Sequence, residues 1–230
     1  MAGRHVQTRR AHGKVRRHMQ VRTAIFDFDG TIADTLLPVV AALNAMAPEF
    51  GYRTASPEEL ETLRTLPPRE VAARVGISWH KIPLIAIRAR KELARSMGGV
   101  APFDGVIAAL ADLRARGVSL GLLTSNSREN VTTFLANHPV QFDFISAGSG
   151  MFSKHRRLAA LSKKRRLALA ETVYVGDELR DLEAGRALGI RVAAVAWGYS
   201  APQLLRAQQP DFFVSQPSEL VTLLCGASAK

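Results

Sequence analysis

Two aspartates two positions apart, Asp27 and Asp29, stand in the run Asp27-Phe28-Asp29-Gly30-Thr31, directly after the apolar stretch Ala24-Ile25-Phe26. In an extended strand, residues i and i+2 point to the same face, so both carboxylates can address one site. Paired carboxylates at the end of a buried strand are costly to desolvate unless a cation, or a proton on one of them, relieves the repulsion. The pattern points to a magnesium site, a catalytic pair, or both. Gly30 permits a tight turn with exposed N–H groups, and Thr31 and Asp34 are candidate caps for a helix beginning near Thr35. The same residues would also suit an acidic Asp-Gly hairpin turn, so the motif decides nothing alone.

Three further polar clusters follow apolar runs or turns. Thr124-Ser125-Asn126-Ser127 comes after Leu120-Gly121-Leu122-Leu123. A strand-end hydroxyl followed by N–H groups opening a helix is suited to a phosphate oxygen, with Ser127 as the ordinary helix cap. Phe152-Ser153-Lys154-His155 follows the turn Gly148-Ser149-Gly150. A lysine at a helix start opposes the helix dipole; an anionic ligand would account for Lys154, as would plain solvation in a basic stretch. Last, Tyr174-Val175 runs into Gly176-Asp177-Glu178-Leu179-Arg180-Asp181. Asp177 and Asp181, four apart, can face one crevice, and magnesium takes such carboxylates together with substrate phosphate. Acids favouring a helix N-terminus would explain Glu178 and Asp181 equally.

The elements that must hold these clusters follow from hydrophobic patterning. Strands are expected at Val21–Phe28, Val118–Leu123, Phe142–Ile145, Val173–Val175, Val192–Val195 and Phe212–Val214. Helical patterns lie between them at Val106–Arg116, Ser127–Asn137, His155–Lys164, Arg180–Leu188, Pro202–Gln208 and Ser218–Leu224. Strand–helix alternation predicts parallel strands in a doubly wound α/β domain. From Leu36 to about Pro102 the rhythm breaks. Leu36–Ala47, Pro57–Leu66, Arg69–Val75 and Pro83–Met97 all read as helices, with Pro57 and Pro68 at tolerated first-turn positions. This predicts an all-helical insertion with hinges near Asp34-Thr35 and Gly98–Pro102.

A chain of 230 residues can bury a proper core. No run approaches a membrane span, and the single cysteine, Cys225, excludes an intrachain disulfide; a reducing, cytoplasmic setting is expected. The net charge of +11 is uneven, since residues 1–20 carry six Lys or Arg and no acid, leaving about +5 for the rest. This stretch predicts a disordered basic tail without the apolar face of an interfacial helix. A second basic cluster, Lys154 to Arg166, has the spacing of an amphipathic helix with an exposed charged face.

Taken in order, the four clusters resemble the haloacid dehalogenase-like hydrolase superfamily, in its phosphatase branch, over roughly Val21 to Val195. The helical insertion is similar to the cap of the phosphoglycolate phosphatase and β-phosphoglucomutase group. Two features depart: Lys154 is not followed by the proline common in that group, and the basic tail is extra. The resemblance implies an α/β fold, a doubly wound parallel sheet with a Rossmann-like core at 21–35 and 103–230 and an inserted all-helical cap at 36–102. It implies a magnesium-dependent phosphomonoester hydrolase acting on a small phosphorylated metabolite. Asp27 would be the nucleophile that forms an aspartyl-phosphate, and Asp29 the general acid and base. Magnesium would sit on Asp27, the Asp29 main-chain carbonyl and Asp177, with Asp181 orienting the ligands. Thr124, the Ser125 amide and Lys154 would stabilise the transferring phosphoryl group. Arg69 and Lys81, basic residues near turns or helix starts, are cap candidates for the substrate, although solvated surface charge explains them too; Asn126 is a candidate leaving-group contact. Phosphomutase chemistry is the alternative within the superfamily. The alternative from another class is a nucleic-acid-binding protein working through its basic tail.

Overall fold

The computed structural model describes residues 21–148 and 154–226; the expectations for the 1–20 tail and for the turn and cluster residues at 149–153 lie outside the described residues. β1 (Thr23–Phe26), β2 (Ser119–Leu123), β3 (Phe144–Ser146), β4 (Thr172–Gly176), β5 (Arg191–Val195) and β6 (Phe212–Val214) form one sheet in the order β3-β2-β1-β4-β5-β6. Every pairing in it is parallel. After β1 the chain moves outward through β2 and β3, then returns to place β4 on the opposite side of β1. Open α/β sheets place their ligands at such a reversal, beyond the C-terminal ends of the strands that flank it, here β1 and β4.

Alternation along the strands fills both faces of the sheet. Ala24 and Phe26 of β1 join Leu120, Leu122, Val173 and Val175 against α5 (Val106–Ala115), α6 (Arg128–Asn137) and α10 (Glu219–Cys225). Ile25 and Tyr174 face the other way, onto α7 (Lys154–Arg165) and α8 (Leu179–Ala187). Near β5 and β6, Val192 and Ala194 pack on Leu205 of α9 (Pro202–Ala207). A sheet buried on both faces explains the near-continuous apolar strands.

Between β1 and α5 the described chain is helical: α1 (Leu36–Phe50), α2 (Pro57–Leu63), α3 (Pro68–Arg74) and α4 (Ile82–Ala94), with α1 packed on α4. Pro57 and Pro68 occupy first helical positions, and Ser56 and Glu59 form a reciprocal capping box on α2. The two crossings into this insertion run side by side: Asp34 N donates to Ala101 O at 2.9 Å and Phe103 N to Ile32 O at 3.0 Å. No described helix is long and apolar enough to cross a membrane.

Several boundaries differ from the sequence expectation. β1 stops at Phe26 rather than Phe28, although Asp27 N still reaches Val175 O at 2.8 Å. Beyond it the N–H groups of Thr31, Ile32 and Ala33 all turn back onto Phe28 O. Phe28 itself plunges into the core, edge-on to Phe134 at 5.1 Å, and this anchors the loop that carries the two aspartates on its other side. α1 runs on through Pro48 and α4 ends three residues early, before a short helical turn at Met97–Gly99. Neither Thr31 nor Asp34 caps α1: the capping position is Thr35, which makes no side-chain cap, while Thr31 is committed to the acid cluster described below. The basic α7 does not present all its charge to solvent either, since Lys154 is buried and Arg157 turns back onto the sheet.

Candidate active site

Phe26 and Val175 are register partners on adjacent strands, so Asp27 and Asp177, which follow these strand ends, emerge close together. Asp181 joins them from the first turn of α8, held by a hydrogen bond from Glu178 N to its Oδ2 at 3.0 Å. One carboxylate oxygen from each of Asp27, Asp177 and Asp181 lies within 4.8 Å of the others, and all three residues are buried. Packing them this closely requires missing side chains nearby. A Cβ on Gly30, whose φ is +76°, would stand 2.2 Å from Asp177 Oδ2, and one on Gly198 would stand 2.2 Å from Asp177 Cβ. Only glycine fits either position without displacing that carboxylate.

Lys154 reaches in from the start of α7. Its ammonium donates to Asp27 Oδ2 at 2.5 Å and to Asp181 Oδ1. Burial pulls its pKa down, but Asp181 and Asp27 outweigh burial and hold it above the usual lysine range. Burial, with Glu178, Asp181 and Asp27 adding repulsion, pushes Asp177 well above the usual carboxylate range. Asp181 is likewise raised, to about 6, by burial and by Asp27 and Glu178 against the pull of Lys154 and Arg180. Buried oxygen donors that repel one another are what a small hard cation relieves, so the residues present fit magnesium.

Asp29 lies beside this cluster. Its Oδ1 accepts hydrogen bonds from Thr35 Oγ1 at 3.0 Å and Asn126 Nδ2 at 2.9 Å. Burial and the Asp27 charge nevertheless raise its pKa to about 6, which equips it to give up and take back a proton near neutrality.

The structure thus brings Asp27, Asp29, Asp177, Asp181, Lys154 and Asn126 into one network. Thr124 sits at the end of β2, fully buried, with its hydroxyl accepting from Asn126 N at 2.9 Å, and Ser125 is half-buried in the same turn. Ser127 caps α6 as expected, accepting from Asn130 N at 3.1 Å. Arg69 and Lys81 are not bonded to the cluster: Arg69 is exposed near the start of α3, and Lys81 donates to Phe50 O at 2.9 Å within the insertion.

Sequence reasoning missed several members. Thr31 Oγ1 donates to Asp177 Oδ1 at 2.6 Å, and Tyr199 N donates to Asp177 Oδ2 at 2.7 Å. Tyr199 also shares a 2.7 Å hydroxyl bond with Thr35. The signal for Tyr199 was present, because Trp197-Gly198-Tyr199-Ser200 is another polar break after a strand. Arg157 donates to Thr124 O, Gly148 O and Ser146 O, tying together the loops after β2 and β3. Arg180 pairs with Glu178, and the surrounding acids hold its guanidinium firmly charged despite burial.

A parallel α/β sheet with aspartates at the two central strand ends, a buried lysine between them and a helical insertion after the first strand defines a class of hydrolase. A family model described as haloacid dehalogenase-like hydrolase matches residues 24–195, and the chain belongs to that family. Within it, the chain falls in the phosphoglycolate phosphatase-like group. The phosphoglycolate phosphatase of Synechococcus elongatus is 39% identical over 204 residues, covering 87% of this chain and 96% of that protein. The tyrosine-protein kinase PtkA of Mycobacterium tuberculosis is 32% identical over 193 residues, covering 76% of this chain and 62% of that one. Among solved structures, a haloacid dehalogenase-like family hydrolase from Streptococcus pneumoniae superposes with a TM-score of 0.74 at 21% identity, covering 88% of this chain and 98% of that one, a likeness of fold.

Proposed function

We propose that this phosphatase hydrolyses small phosphomonoesters through an aspartyl-phosphate on Asp27, with magnesium as cofactor and phosphoglycolate as the first substrate to test. The convergence of the Asp27, Asp177 and Asp181 carboxylates on the Lys154 ammonium, with Asp29 alongside, carries this reading.

Lys154 holds Oδ2 of Asp27, which orients the carboxylate so that its other oxygen attacks phosphorus as the bond to the leaving alkoxide breaks. Asp29 gives its proton to that alkoxide, then takes one from the water that attacks the aspartyl-phosphate and releases inorganic phosphate. Thr124, the Ser125 amide and Lys154 stabilise negative charge on the phosphoryl oxygens. Asp27, the Asp29 main-chain carbonyl and Asp177 would hold magnesium, with Asp181 steadying the set. Bound there, the ion offsets the repulsion between a carboxylate nucleophile and a phosphate dianion. The 36–102 insertion acts as a cap that covers the substrate and excludes bulk water.

The test is inorganic phosphate release from a panel of small phosphomonoesters, with and without magnesium, by the wild type and by Asp27→Asn. The expected result is magnesium-dependent release that falls by a factor of about 1,000 or more in the variant, as for removal of a covalent nucleophile. Release that persists in Asp27→Asn would reject the aspartyl-phosphate. Isomerised sugar phosphate in place of inorganic phosphate would instead favour phosphomutase chemistry.

A further inference from the structure

Arg90 lies on α4, in the insertion, at the point where that helix meets the catalytic loops. Asn130 Nδ2, on α6, donates to the main-chain O of Arg90 at 3.2 Å and to Asn126 Oδ1 at 2.8 Å. Asn126 Nδ2 in turn donates to Asp29 Oδ1 at 2.9 Å. Three hydrogen bonds therefore connect the α4 backbone at Arg90 to the carboxylate assigned as proton donor.

The Arg90 side chain is half-buried and lies within electrostatic reach of Arg180, Asp29 and Arg157. The other two arginines are already engaged, Arg157 by main-chain carbonyls and Arg180 by Glu178. No described carboxylate or carbonyl bonds the Arg90 guanidinium. Burial, together with its two cationic neighbours, holds its pKa below the usual arginine range. Asp29 offsets part of that cost, and a ligand anion paired with the unbonded guanidinium would offset the rest.

The position of that anion follows from Asp29. Under the phosphatase reading, on which this inference rests, Asp29 protonates the leaving oxygen, so groups tied to Asp29 stand on the leaving-group side. The phosphoryl group is served by Lys154 and Thr124. We propose that Arg90 is a specificity-determining residue that binds a carboxylate on the leaving alcohol, so that the preferred substrates are phosphate esters of small hydroxy acids. A guanidinium fork matches a carboxylate in two-point geometry, which an uncharged alcohol cannot use.

The experiment compares phosphoglycolate with ethyl phosphate, a near match in size that lacks the carboxylate, on the full-length wild type, Arg90→Lys and Arg90→Met. In Arg90→Met, kcat/KM for phosphoglycolate is expected to fall about 100-fold, mainly through KM, in line with loss of a charged hydrogen-bonded pair. Turnover of ethyl phosphate should change less than about threefold, and Arg90→Lys should recover part of the loss. Equal losses on both esters, or none on either, would overturn the role of Arg90 while leaving the phosphatase reading intact. Phosphate release from neither ester by the wild type, with magnesium present, would overturn both. If Arg90→Met is recovered unfolded, Arg90→Gln carries the same comparison, since the Asn130 bond goes to the main chain.

Discussion

Asp177 shows how much chemistry rests on single side chains here. It is fully buried, and each of its oxygens accepts one bond, from the Thr31 hydroxyl and from Tyr199 N. Those bonds orient the carboxylate and stabilise its charged form against burial, leaving lone pairs for a cation. Thr31→Val keeps the shape and removes the hydroxyl. The expected outcome is a rise of about tenfold or more in the magnesium concentration for half-maximal phosphate release, with maximal rate at saturating magnesium much less affected. A magnesium titration of both proteins checks this, and superimposable curves would mean that the 2.6 Å bond to Asp177 does not tune the metal site.

At the level of elements, the insertion does not simply hang from its two crossings. Arg64, at the end of α2, donates to Gly198 O at 2.8 Å and Tyr199 O at 3.2 Å, and its own carbonyl accepts from Ala201 N at 2.8 Å. It therefore grips the loop after β5 whose Tyr199 N–H holds Asp177. Trp197 fixes the same loop from below by donating to Thr31 O at 3.1 Å. Removing the guanidinium frees one edge of the insertion, and charged hydrogen bonds of this kind contribute about 1.5–3 kcal/mol. Arg64→Ala is expected to speed proteolytic cleavage within 36–102 several-fold, because local opening governs cleavage there. Limited proteolysis followed by mass spectrometry reads this out, and unchanged cleavage within the insertion would show that its docking rests elsewhere.

For the molecule as a whole, the fold gathers Asp27, Asp177, Asp181 and Glu178 around Lys154 and Arg180. Burial in that company raises Asp177 and Asp181 alike. A cation that binds this folded cluster and not the unfolded chain must stabilise the protein by mass action, by about 2.7 kcal/mol at a hundredfold excess over its dissociation constant. Magnesium should accordingly raise Tm in a concentration-dependent way, and chelation should reverse the rise. Asp177→Asn should abolish most of the shift. Differential scanning calorimetry across a magnesium series makes the measurement, and a Tm indifferent to magnesium would count against the metal site irrespective of turnover.

Much of this was legible in the residues alone. Asp27 and Asp29 flank Phe28, whose apolar ring enters the core and leaves the two carboxylates on the other side of the loop. Strand–helix rhythm, proline at helix starts and the Ser127 cap are local as well, and so is the four-residue step from Asp177 to Asp181. Only the tertiary structure decided which distant side chain completes each site. Its place before a helix makes Thr31 a candidate cap, yet its partner lies 146 positions away. Arg157 belonged to a run of surface charge until α7 folded it onto three strand-end carbonyls. Arg90 had no signal of its own. The physical reason is the strand order β3-β2-β1-β4-β5-β6: sequence spacing sets which groups stand at strand ends, but the reversal at β1 and β4 sets which ends become neighbours. Hydrogen bonds, burial and charge then act on those neighbours.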